Sequence, residues 1–136
     1  MRRFSNYESA LSVLSTASEQ DLDNEFIQGG VIDRFFIQFE LGWKLLKALL
    51  AYEGNPLAAS GSPRDIIKAA YAYHGFLDEG LWLQMLRARI DTAHIYDGER
   101  AGRMVATIID SYIPEFVCAC ATRWSSGTGA FSSSSG

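Results

Sequence analysis

Histidine and cysteine are scarce in this 136-residue chain, with two of each. Cys118 and Cys120 stand two apart in a helical pattern. They point to nearly opposite sides there and cannot pair. Neither they nor the histidines have zinc-ligand spacing, so no metal is expected. The glycine patterns of P-loops and Rossmann folds are missing, and no cofactor is expected. The paired-carboxylate signature of nucleotidyltransferases is missing too, so the chain should not transfer nucleotides itself. Basic residues are outnumbered, 12 Lys and Arg against 16 Asp and Glu, for a formal net charge of −4. A protein that grips an extended nucleic acid carries a basic surface. Any nucleic-acid contact here must rest on a small local site or on a partner's charge. No apolar run approaches the ~18 residues of a membrane span. The start, "MRRFSNYESALSVLS", has no continuous apolar segment of the signal-peptide kind. A reduced, cytoplasmic protein with core-type cysteines is the expectation.

What is present is helical periodicity. Apolar residues make up 48% of the chain and charged residues 21%, a globular composition sized for one domain. Phe4, Tyr7, Leu11, Leu14 and Ala17 recur at steps of three and four, predicting a first helix over about 4–19. Ile32, Phe36, Phe39, Trp43, Leu46 and Leu50 form the strongest seam, over 30–53. Phe35, Ile37, Leu41, Leu45 and Leu49 widen it beyond one stripe, so this helix should pack on two sides. One of those sides can be a subunit interface. Gly29-Gly30 is expected to loosen its start and Gly54-Asn55-Pro56 to stop it. A loop over 54–61 precedes a helix capped by Ser62 with Pro63 in its first turn. A further helix starts near Asp78 and carries Leu81, Trp82, Met85 and Leu86. The last carries Ala101, Val105, Ile108, Tyr112 and Phe116, with Pro114 expected to kink or restart it. Residues 125–136 are Ser/Gly-rich and read as a flexible tail after a single domain over 1–124. Short turns between long amphipathic helices predict an all-α, antiparallel up-and-down bundle, four-helix-bundle-like, and the over-wide apolar surface of helix 30–53 makes it homodimeric in expectation.

One polar stretch interrupts this apolar chain. "RARIDTAHIY" (87–96) gathers Arg87, Arg89, Asp91, His94 and Tyr96. On a straight helix Arg89 and Tyr96, seven apart, share a face, and Asp91 neighbours His94. Arg89 and His94 diverge there by about 140°. The types and spacing admit a solvated helix face. They also admit a metal-independent phosphoryl-transfer site. In that case His94 is the general base for a 2′-hydroxyl, Arg89 the phosphate fork and Asp91 the group that orients His94. The leaving oxygen then needs an acid, which a two-fold dimer supplies as a second His94. Elsewhere the plain readings suffice. His74 serves a helix C-terminus, Trp43 and Trp82 are core, Arg64 is solvated, and Glu40–Lys44 is a surface pair.

Three blocks carry a resemblance. "GVIDRFFIQFELGWKLLKALLAYEG" (30–54), "SPRDIIKAAYAYHGFLD" (62–78) and "LWLQMLRARIDTAHIYD" (81–97) resemble HEPN-type nucleotidyltransferase substrate-binding proteins. These are also described as the HepT side of MNT/HepT toxin–antitoxin pairs. The resemblance covers about residues 4–120 in order. It implies a helical bundle, usually a homodimer, that binds a small partner nucleotidyltransferase or its nucleotide substrate. It implies, alternatively, a metal-independent endoribonuclease toxin acting on RNA through Arg89 and His94. Tyr96 is then the position at which the partner would add a nucleotide. The chain departs from the family element at Ile90, where a polar residue is frequent.

Overall fold

The computed structural model describes residues 2–73, 77–91 and 98–119, and among them there is no strand. The order is α1 (Arg2–Leu14), a 3-10 turn (Ser15–Glu19), α2 (Glu25–Tyr52), α3 (Leu57–Ser60), α4 (Pro63–Tyr73), α5 (Glu79–Ile90), α6 (Gly98–Thr107), a π turn (Ile108–Tyr112) and α7 (Ile113–Ala119). The architecture is the expected all-α bundle.

The longest helix, α2, is the axis of the fold, and α1, α3, α4, α5 and α6 all pack on it. It begins earlier than the glycines predicted. Asn24 caps it by accepting from the N–H groups of Phe26 (2.8 Å) and Ile27 (3.3 Å). A cap satisfies donors that are otherwise orphaned, which outweighs the cost of two glycines one turn further in. The stop lies where expected. Gly54 takes φ +80°, Gly54 N–H donates to Ala51 O and Asn55 N–H to Leu50 O. These two bonds form a Schellman motif, which glycine enters without a Cβ penalty.

Loop 54–61 contains one short helix, α3, which the sequence reading did not anticipate. Asn55 Oδ1 accepts from Leu57 N–H and starts it. The cap at Ser62 is present and reciprocal. Asp65 N–H donates to Ser62 Oγ at 3.3 Å, and Ser62 N–H to Asp65 Oδ2 at 3.4 Å. Asp78 caps α5 by accepting from Leu81 N–H at 3.1 Å.

The buried face of α2 is turned from the predicted seam. Ile32, Phe39, Leu46 and Leu50 are buried as expected, but so are Val31, Phe35, Gln38, Gly42 and Leu45. Phe36 and Trp43 are only partly buried, so Trp43 is not the core residue expected. Trp82 is, at 0% exposure. It needs room, and Gly42 supplies it. A Cβ at Gly42 would lie 2.8 Å from Trp82 Cη2 and 3.4 Å from Tyr7 Cε2. Aromatic rings then fill the centre. Trp82 meets Phe116 edge-on at 5.6 Å between centroids, and Phe35 stacks on Tyr112 at 5.0 Å.

Three buried polar contacts tie helices that are distant in sequence. Tyr7 Oη–H donates to Phe116 O at 2.8 Å, joining α1 to α7. Gln38 Nε2 donates to Tyr7 O at 3.2 Å, joining α2 to α1. Glu115 Oε2 accepts from Trp82 Nε1–H (3.0 Å) and Asp78 N–H (3.1 Å), joining α7 to the start of α5.

Pro114 marks a restart, as expected, with α7 beginning at Ile113 just before it. A π turn precedes it, closed by Ile113 N–H donating to Ile108 O. Proline has no N–H to donate, so the ladder widens by one residue just before it. Successive four-residue steps drift about 40° around an α-helix. The wide turn takes that drift back, and Val105, Ile108, Tyr112 and Phe116 all stay buried.

Gly42→Ala should therefore cost about 1–3 kcal/mol through overpacking. Urea unfolding followed by circular dichroism reads this, and an unchanged midpoint would contradict the close approach. Burial raises the Tyr112 phenol above its ordinary value. A raised pKa contributes stability that is complete below about pH 10 and is lost as pH climbs through the folded value. Thermal melts from about pH 9 to 11 should show a smaller alkaline loss in Tyr112→Phe than in wild type.

Candidate functional site

The buried stripe of α5 runs through Trp82, Met85 and Leu86. The next position at the same spacing is Arg89, seven residues after Trp82 and so about 10 Å along the same face. A cation at that position needs an answering charge. Glu40 provides it, with Oε1 2.5 Å from Arg89 Nε. The contact is ionic and not an aligned hydrogen bond, because Oε1 has no hydrogen-bond partner. The other oxygen of Glu40 accepts from Trp43 Nε1–H at 3.1 Å and lies 3.9 Å from Lys44 Nζ. Glu40 is therefore not the simple surface pair expected of Glu40–Lys44. It is a carboxylate shared among Arg89, Trp43 and Lys44.

The Arg89 side chain remains 38% exposed and that of Glu40 28%. Arg87 and Arg89 both lie in the last turn of α5, where cations answer the partial negative charge of the helix end. Ile90 is 72% exposed beside them. Asp91 caps α5, its N–H donating to Arg87 O, and its side chain is exposed. Arg64, in the first turn of α4, is exposed as expected. His94 and Tyr96 lie outside the described residues, as do His74 and Cys120. Cys118 is exposed, not the core-type cysteine expected.

Two functional-looking side chains escaped the sequence reading. Glu40 carried a signal, being a lone acid in the apolar run "FIQFELGW" three residues before a tryptophan that needs an acceptor. Glu115 carried a weaker one, next to Phe116 on the buried stripe. Among the described residues no helix is long and apolar enough to cross a membrane.

The family described as nucleotidyltransferase substrate binding protein like matches residues 2–122. The chain belongs to that family. No curated protein matches the chain. The family description concerns binding of a nucleotidyltransferase substrate.

Glu115 sets where α5, and so Arg89, begins its run. Glu115→Leu removes the acceptor for two inward-facing donors and should cost about 1–3 kcal/mol. Chemical unfolding reads this, and Trp82 fluorescence should move in the native state. A variant as stable as wild type, with unmoved emission, would show that the contact is dispensable.

Proposed function

We propose that this protein is the HEPN-type, HepT-side partner of a small nucleotidyltransferase in a toxin–antitoxin-like pair. In this reading it is a cytoplasmic homodimer that binds that enzyme, its nucleotide substrate, or both. Contact is made through the 87–96 stretch. Arg89 takes a phosphate, Asp91 and His94 line the site, and Tyr96 accepts a nucleotide from the partner. Family membership supports the partner class. The observation that carries binding over cleavage is Ile90, 72% exposed immediately beside Arg89. A polar residue frequent at this place in the family element would orient the histidine for cleavage, and an isoleucine turned to solvent cannot. The homodimer is supported by the outer face of α2, where Ile37 is 49% exposed and Leu41 is partly exposed.

In the ribonuclease alternative, Arg89 stabilises the charge that develops on phosphate while His94 from each subunit serves as base and acid. One set of experiments separates the two. The protein is co-expressed with the nucleotidyltransferase encoded beside it, then purified and weighed intact. A stable complex, or nucleotide mass on a Tyr96 peptide, supports the binding reading. Failure to associate at micromolar concentration overturns it. The free protein is also incubated with RNA in chelator. Cleavage lost in both His94→Ala and Arg89→Ala, with helical circular dichroism unchanged, would establish the ribonuclease instead. Sedimentation at micromolar concentration should return a dimer, and a monomer removes the shared-site version of either reading.

A further inference from the structure

Glu40 sits against the group that is proposed to take a phosphate. A carboxylate there can act in two opposite ways. It can occupy Arg89 as a competing anion that a ligand must displace. It can instead hold the guanidinium still, so that the remaining donors face the ligand. The geometry separates these. Oε1, the oxygen facing Arg89, is buried, so an incoming anion cannot reach its place. Oε2 is held by Trp43 Nε1–H on the same helix, with Lys44 Nζ 3.9 Å away. Glu40 is thus fixed on both oxygens, and nothing about it resembles a latch that opens.

The contact to Arg89 is made at Nε, the nitrogen nearest the backbone. Beyond it the guanidinium carries its two terminal nitrogens and four more N–H donors. The side chain is 38% exposed, so its outer part is where a ligand can arrive. A planar fork fixed at its root loses little freedom when it pairs with a phosphoryl group.

We propose that Glu40 is the positioning residue of the site: with Trp43 as its brace, it fixes Arg89 by Nε and presents the outer guanidinium edge to a nucleotide phosphate. This rests on the binding reading above for its ligand, but not for the brace itself. The sign of one substitution decides between brace and competitor. Glu40→Gln removes a negative charge beside a phosphate site and keeps the size and an acceptor for Trp43. A competitor's removal tightens phosphate binding. A brace's removal loosens it.

The test uses the full-length protein and two probes, adenosine 5′-monophosphate and adenosine, titrated at constant ionic strength. In wild type, the monophosphate should bind more tightly than adenosine. Glu40→Gln should weaken the monophosphate about fivefold or more, since coupled charges contribute on that scale. Adenosine binding should be unchanged. In an Arg89→Lys background, Glu40→Gln should have no further effect. Tighter monophosphate binding in Glu40→Gln overturns the brace. So does equal weakening of both probes, which marks a general structural loss. A second readout needs no ligand. The Arg89 Nε–H resonance, assigned by its loss in Arg89→Lys, should show a high order parameter in wild type and a low one in Glu40→Gln. Wild type that binds neither probe but shows this rigidity retains the brace and sinks the nucleotide reading. A low order parameter in both proteins sinks the brace whatever binds.

Discussion

Everything in this bundle depends on one close approach, the Trp82 ring seated over Gly42. The ring has 0% exposure and touches the backbone of α2 where a Cβ would stand 2.8 Å away. Interiors are packed to crystal density, so a gap of this shape admits one side chain in one orientation. Phe39, Phe116 and Tyr7 complete the walls of that seat. The indole N–H cannot be left bare in such a place, and Glu115 accepts it. The same carboxylate oxygen takes the N–H of Asp78 and thereby fixes the start of α5. Position and direction of α5 follow from a glycine, a tryptophan and a glutamate on three helices.

The candidate site is the far end of that arrangement. Once Trp82 is seated, Arg89 has little choice of direction, because seven residues of helix carry it back to the same face. It arrives over Glu40. An exposed pair of this kind stabilises by little, about 0–1 kcal/mol. This pair is half-shielded and tied into Trp43, so its value lies in orientation more than in stability. The acidic balance of the whole chain gives this a further sense. At a net charge of −4 there is no broad field to draw phosphates in. In the proposed binding reading, recognition would rest on a few donors held in place, and α5 carries Arg87 and Arg89 at one helix end beside the exposed Ile90.

Much was written in local pattern. The helical periods, the caps at Ser62 and Asp78 and the glycine stop at Gly54 are short-range devices. Each is satisfied within about one turn, so each can be read from neighbouring residues. The family blocks at 30–54, 62–78 and 81–97 belonged to the same legible layer. The capping power of Asn24 was equally local, and it moved the start of α2 ahead of two glycines that seemed to delay it.

What local pattern left undecided was which of two overlapping apolar faces on α2 turns inward. Periodicity placed Trp43 and Phe36 in the seam, but packing buried Phe35, Gly42 and Leu45 instead, with Trp82 seated on Gly42 and Phe35 against Tyr112 and Phe116. The roles of Glu40 and Glu115 depended on the same choice. Arg89 meets Glu40 across 49 residues of sequence, and Trp82 meets Glu115 across 33. The sequence by itself determined the long helices, several of their ends, the bundle and the stretch that holds the arginine. Only the tertiary structure decided which carboxylate answers that arginine, because a charge pair between helices exists only after side-chain volumes have set how those helices cross.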